Sequence, residues 1–309
     1  MRRALSALLV ATAVIAPVSA AARPRIPAPP PASIAPPTPT TLRATYEANR
    51  ENAAEAARMA DAHGDRSRAS TDRWMAAPDR QLLTFDGRGT GRAVEVLGDL
   101  LKADHIAVLV PGSDTGLDTY GRFHRAAQAL HDRTGPDTAV IAWLGYATPG
   151  TISTTVLTPT RAEQAAPRLR AFIRELRGLV GDSTGVALLC HSYGSVVCAR
   201  AVTDLDDIDD MALIGSPGTG VDSVAALHTS ARVWAARGTD DWIGMVPHTR
   251  SDFFGTTLGF GPDPTASSFG AHVFTAGPAG HSDYFTPNST SLKNLAHITQ
   301  GALPEEPRA

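Results

Sequence analysis

Lysine, cysteine and aromatic residues are all scarce in this 309-residue chain. Lys102 and Lys293 are the only lysines, Cys190 and Cys198 the only cysteines, and aromatics make up 6%. So few cysteines over this length exclude a disulfide-built mini-protein. No Gly-x-y period is present, which excludes a collagen-like chain. Neither sign of charge dominates: 28 basic residues stand against 31 acidic ones, for a net charge of −3. With 43% hydrophobic residues, that balance excludes wholesale disorder. It also leaves no electrostatic footprint for nucleic acid, so no nucleic-acid partner is expected. Zinc-ligand spacings and phosphate-binding loops are missing too, so no metal site is expected. The length suits one large globular domain or two small ones.

Long apolar runs are confined to the N-terminus. Met1-Arg2-Arg3 is a basic start, and Ala4 to Val18 is almost unbroken apolar sequence. Small residues at Val18-Ser19-Ala20 and Ala20-Ala21-Ala22 suit a signal peptidase. The run is shorter than the ~20 residues a spanning helix needs. Residues 1–22 therefore read as a secretory signal peptide, with an uncleaved anchor as the alternative, and no membrane span is expected after its removal. Residues 23–41 are a Pro-rich linker, expected to be an extended tether or a disordered mature N-terminus. Leu42, Tyr46, Asn49, Ala53, Ala56 and Ala60 recur at helical spacing. They predict an amphipathic helix ending near His63-Gly64, within an N-terminal helical extension over 42–80.

From residue 81 to 301 apolar runs alternate with helical patterns, leaving 302–309 as a tail. Strands are predicted at Leu82–Phe85, Ala93–Leu97, Ile106–Val110, Ala139–Trp143, Val186–Cys190, Met211–Ile214 and Val233–Ala236, with a last one at Ala271–Thr275. Helical spacing covers Arg161–Leu179 and Gly194–Val202. Continuous apolar strands imply burial on both faces and a mostly parallel sheet. Strands alternating with helices give an α/β, doubly wound architecture, whose chemistry sits at the C-terminal ends of its strands.

At one such end the strand Val186–Cys190 runs into His191-Ser192-Tyr193-Gly194-Ser195 and then a helix. A serine on a strand–turn–helix elbow is lifted into the crevice as a nucleophile. Gly-x-Ser-x-Gly is the usual pattern, and Cys190 replaces its first Gly. A serine hydroxyl needs a histidine base held by a carboxylate, and in this architecture the chain order is Ser, then acid, then His. Asp241, after the strand Val233–Ala236, fits the acid, with neighbouring Asp240 as the alternative. Among His248, His272, His281 and His297, the base is assigned to His281, in a loop after the last strand. His272 and His297 read as structural, and His191 as a supporting residue rather than a base. The oxyanion donors are the backbone N–H groups of Ser113, after Pro111-Gly112, and of Tyr193.

These pieces resemble the alpha/beta-hydrolase superfamily, and more narrowly an actinobacterial branch catalogued mainly as a domain of unknown function. The matching stretches are Arg80–Asp86, Ala103–Gly112, Trp143–Tyr146, His191–Ser195, Gly215–Gly218 and His281–Phe285. The resemblance spans roughly Thr41 to Gln300. It implies the alpha/beta-hydrolase fold, a serine-hydrolase apparatus and no cofactor. Trp143–Thr160 and Ile243–Phe269 are long loops, expected to wall the pocket as lids or binding walls, with Tyr146, Phe253 and Phe254 as candidate substrate-binding residues. Apolar walls suit an acyl chain or hydrophobic ester, so a small-molecule or lipid ester is the expected partner. The expected function is a secreted serine esterase or lipase-like enzyme. An envelope acyltransferase, an amidase, or an inactive binding protein on the same scaffold are the alternatives. The acidic run Asp204 to Asp210 reads as a solvated turn, and Cys190 and Cys198 as two buried thiols.

Overall fold

A computed structural model describes residues 26–307, apart from 152, 204, 254 and 255. The predicted signal peptide and Phe254 lie outside the described residues. Within them the chain begins with two helices, α1 (Leu42–Ala62) and α2 (Arg66–Met75). The strands β1 (Gln81–Asp86), β2 (Arg92–Leu97) and β3 (His105–Val110) follow. Next come α3 (Tyr120–Thr134), β4 (Thr138–Leu144), α4 (Thr160–Val180), β5 (Gly185–His191) and α5 (Gly194–Ala201). Then come β6 (Asp210–Ile214), β7 (Arg232–Ala236) and a small hairpin of β8 (Arg250–Phe253) and β9 (Thr256–Gly259). The short strand β10 (His272–Val273) and α6 (Thr290–Thr299) complete the order.

Eight strands form one sheet in the order β1-β2-β4-β3-β5-β6-β7-β10. The β1–β2 and β2–β4 pairs are antiparallel, and every other pair is parallel. The continuous apolar runs have the burial they require: all seven residues of β4 are buried. Alternate side chains serve opposite faces, as a strand's period of two demands. Ile106, Val108, Leu188 and Cys190 pack with Leu169 and Ile173 of α4 and with Val196 and Val197 of α5. Ala107, Leu109, Ala187 and Leu189 pack with Leu130 of α3 and with Leu292 and Leu295 of α6.

The N-terminal extension is fastened to the sheet by polar side chains. The Asn49 amide of α1 donates to the carbonyls of Leu82 and Leu83, at 3.2 and 2.9 Å. Arg68 of α2 is 1% exposed. It donates to the carbonyls of Gly87 and Gly89 and to both Asp118 oxygens. Glu95 of β2 is buried and gathers Arg80 at 2.7 Å, His124 at 3.1 Å and the Tyr120 hydroxyl at 3.1 Å. A buried carboxylate needs such partners to stay charged at tolerable cost.

Four sequence expectations change. The Pro-rich stretch does not stand clear of the domain in its described part, since Asn52 donates to the Pro30 carbonyl at 2.7 Å and Ala28 packs on the core. The acidic run is not merely a solvated turn: Asp210 is 2% exposed and accepts from Arg232 and the Trp234 indole N–H, each at 2.7 Å. Cys190 and Cys198 are not thiols but a disulfide, with Cα atoms 6.4 Å apart. The stretch between acid and base is not a plain loop, since it contains the β8–β9 hairpin.

Candidate active site

Ser192 follows the last residue of β5 with φ +53°. A left-handed backbone is costly for a residue with a Cβ, and here the surrounding packing fixes it. A Cβ on Gly194 would lie 2.5 Å from the Val110 carbonyl oxygen. Only glycine therefore lets α5 come this close to β3. Cys190, where the pattern wants another glycine, finds room by turning its sulfur to Cys198 on the first turns of α5. The bridge brackets Ser192, joining the strand before it to the helix after it.

Ser192 Oγ lies 2.9 Å from His281 Nε2. The other ring nitrogen, Nδ1, donates to Asp241 Oδ1 at 2.9 Å and approaches Oδ2 at 3.1 Å. Asp241 is 6% exposed, at the turn after β7. The Ile243 N–H donates to it at 2.8 Å and the Tyr284 hydroxyl at 2.5 Å. Burial pushes the Asp241 carboxyl up, but the hydrogen bonds from His281, Tyr284 and Ile243 outweigh it and hold the carboxyl below its ordinary range. The group stays a carboxylate. Neighbouring Asp240 is exposed and, among the described residues, meets only the Thr239 hydroxyl, at 3.3 Å. Of the two acids the sequence left open, Asp241 is the one that reaches the histidine.

His191 lies beneath this row. Its Nε2–H donates to the His281 carbonyl at 2.7 Å, and the two rings are 4.8 Å apart. Burial and the neighbouring His281 push its pKa down to about 4. His191 is therefore neutral near pH 7 and adds no positive charge beside the His281 ring. Trp242 also packs against His281, with ring centroids 4.6 Å apart. Neither Trp242 nor Tyr284 was given a role by sequence. Tyr284 lies in the quoted stretch His281–Phe285, and its spacing of three from His281 is the signal it offered.

Across the crevice, Pro111-Gly112-Ser113 follows β3. A Cβ on Gly112 would fall 2.6 Å from Ser192 Cβ, so the turn's close approach requires glycine. The N–H groups of Ser113 and Tyr193 have no acceptor among the described residues. Two unengaged donors beside a serine hydroxyl can receive an oxygen that becomes negative.

The crevice opens into a cleft of about 890 Å³ lined by Ser192, His281, Trp242 and Ser113. Its walls are mainly apolar: Phe123, Val156, Leu157, Val246, Leu258 and Phe260. The Trp143–Thr160 and Ile243–Phe269 stretches both contribute, as their lengths suggested. Tyr146 is not among the lining residues. Its ring is 3% exposed and stacked on Trp143, and its hydroxyl donates to the Pro111 carbonyl at 2.6 Å. It braces the Pro111-Gly112-Ser113 turn from behind. Phe253 ends β8, and Phe254 lies outside the described residues. His248 donates weakly to the Ser216 carbonyl at 3.4 Å; His272 sits on β10 beside Trp234, and His297 on α6. None of the three reaches Ser192. No cluster of side chains suited to a metal ion occurs among the described residues.

A mostly parallel sheet with a serine elbow near its centre, met by acid and histidine loops from later strands, defines the alpha/beta hydrolase architecture. The chain belongs to the alpha/beta hydrolase family, whose sequence model matches residues 86–251. It is 31% identical over 252 residues to an uncharacterized protein of Mycobacterium tuberculosis, a match covering 69% of this chain and 37% of that one. An uncharacterized protein of Mycobacterium bovis is 30% identical over 168 residues, covering 49% of this chain and 63% of that one. The chain thus spans little more than a third of the first relative's length. Among solved structures it is similar in fold to esterase PE8, at 18% identity and TM-score 0.45, covering 67% of this chain and 97% of that one. It is also similar to esterase LipW from Mycobacterium marinum, at 15% identity and TM-score 0.44, covering 80% and 89%.

Proposed function

We propose that the protein is an exported serine hydrolase that cleaves carboxylic esters through an acyl-enzyme, as an esterase or lipase-like enzyme does. One observation carries the reading: the unbroken row Ser192 Oγ, His281 Nε2, His281 Nδ1, Asp241 Oδ1, with both steps at 2.9 Å. A hydroxyl in that row can pass its proton to the imidazole as it attacks, and the carboxylate holds the Nδ1–H tautomer and steadies the imidazolium.

Ser192 Oγ attacks the ester carbonyl carbon and its proton moves to His281 Nε2. The carbonyl oxygen takes up the negative charge and receives the Ser113 and Tyr193 N–H groups. The C–O bond to the alcohol breaks as His281 returns the proton to the leaving oxygen. Water then repeats the sequence on the acyl-enzyme and frees Ser192. The apolar walls of the cleft favour a hydrophobic acyl or alcohol group. A disulfide beside the nucleophile fits an oxidising compartment, as export provides.

A panel of p-nitrophenyl esters of rising acyl length tests the reading. Wild type should show turnover with a burst of nitrophenol, and Ser192→Ala should show none. Added alcohol should leave the acid as the main product; ester as the main product would mean acyl transfer instead. Turnover that survives in Ser192→Ala would refute the assignment.

A further inference from the structure

A second cavity, of about 620 Å³, lies between the β1–β2 turn and the first half of α4, under the strap Ile26–Ala28. Four arginines line it: Arg88 and Arg92 from the turn, and Arg161 and Arg168 from α4. Positions 161 and 168 are seven apart, so they share one face of the helix. Among the described residues, Asp86 is the only carboxylate lining this space. It is already engaged, accepting from Arg88 at 2.8 and 3.0 Å and from Arg92 at 2.5 Å. Arg161 and Arg168 have no carboxylate partner among the described residues.

Several arginines elsewhere are neutralised by acids: Arg80 meets Glu95, Arg232 meets Asp210 and Arg237 meets Asp263. In this cavity four arginines line the wall with one carboxylate. Four guanidiniums around one carboxylate repel one another, and a concave wall focuses their field into the space between them. An anion there relieves the repulsion. Guanidinium forks match the oxygens of phosphate and sulfate two at a time. Beside the polar Thr90 and Gln164, the wall has an apolar part formed by Pro27, Tyr146, Ala147 and Ala165, which leaves room for a carbon chain next to the charge. We propose that this cavity is a binding site for a doubly charged oxyanion of the phosphate or sulfate type, either free or as the head group of an amphiphile. The site is separate from the Ser192 cleft, and Tyr146, which lines it, braces the oxyanion turn from the other side.

The test compares wild type with Arg161→Gln/Arg168→Gln, leaving Arg88 and Arg92 to hold buried Asp86. Inorganic pyrophosphate is titrated calorimetrically at low salt, where screening is least. In parallel, the protein is sedimented with phosphatidylcholine vesicles with and without phosphatidic acid. Wild type should bind pyrophosphate saturably or follow the phosphatidic acid vesicles, and the double variant should bind about tenfold more weakly. Pyrophosphate binding identifies a free anion, and vesicle capture alone a lipid head group. Should the double variant melt early, the single variants and Arg161→Lys carry the comparison, with the lysine variant retaining part of the affinity. No binding of either probe by wild type, or equal binding by the variants, overturns the proposal.

Discussion

Replacing Tyr284 by Phe tests whether the acid of the row is held by more than the histidine. The ring is 1% exposed and stays in place in the variant, so only the hydroxyl is lost. That hydroxyl donates to Asp241 Oδ2 at 2.5 Å and accepts from the Gly238 N–H at 3.0 Å. A hydrogen bond to a charged acceptor contributes roughly 1.5–3 kcal/mol, and the Gly238 donor is left buried and unpaired. The variant should therefore lose about 2 kcal/mol of stability. Asp241 keeps its bonds from His281 and Ile243, so the row survives but is less tightly held. The expected fall in kcat is about tenfold, equivalent to ~1.4 kcal/mol, with KM unchanged. The pH behaviour separates this from general loosening. Burial raises the Asp241 carboxyl, and the bonds from His281, Tyr284 and Ile243 lower it further than burial raises it. A carboxyl depressed in the folded state contributes stability that is present above its unfolded pKa and lost as pH falls through the folded one. Removing one of the lowering bonds moves that loss to higher pH. Steady-state kinetics and denaturant melts of both proteins from neutral to acid pH read all of this. Full kcat with an unmoved acid limb would refute the positioning role.

Cys190→Ala and Cys198→Ala should each cost about 2.5 kcal/mol in denaturant melts, from the loop-closure entropy of a short bridged segment. A smaller loss, with Ser192 reactivity unchanged, would show that the disulfide does not brace the elbow. Gly112→Ala places a Cβ 2.6 Å from that of Ser192, and should lower kcat by about 10²-fold and cost about 1–3 kcal/mol of stability from overpacking; unchanged kcat would contradict the assigned oxyanion turn. Asp72 is 1% exposed. Burial raises its carboxyl to about 7, with Asp118 and Asp65 adding to the rise and Arg68 opposing it. Its contribution to stability is full below its unfolded pKa and is lost as pH rises toward 7. Asp72→Asn should therefore melt above wild type near and above neutrality and show a flatter pH profile, and equal profiles would refute the shift.

Much of this fold was legible because buried parallel strands need continuous apolar runs, and those runs are in the chain. Val186–Cys190 followed by His191-Ser192 marked the elbow, since few other contexts place a serine between such a strand and a helix. Asp241 and Asp240 were inseparable by spacing; the turn after β7 buries one and exposes the other. Helix α2 carried only a thin apolar stripe, because buried Arg68 and Asp72 share its docking face with Ala69 and Met75. The disulfide depends on where the first turns of α5 face, a tertiary matter that two cysteines eight apart do not reveal. Tyr146 read as a pocket wall because its loop follows a strand end. Its hydroxyl instead turns inward to Pro111. The pair Arg88 and Arg92 is far in sequence from the pair Arg161 and Arg168, and the packing of α4 near the β1–β2 turn brings the two pairs together.

The central claim is that Ser192 is an activated nucleophile. Treating the protein with a fluorophosphonate and locating the adduct by mass spectrometry tests it directly. The account predicts a single adduct on Ser192, formed fast in wild type and lost or slowed by at least 10³-fold in His281→Ala. An adduct on another residue, or one on Ser192 that forms equally fast without His281, would contradict it.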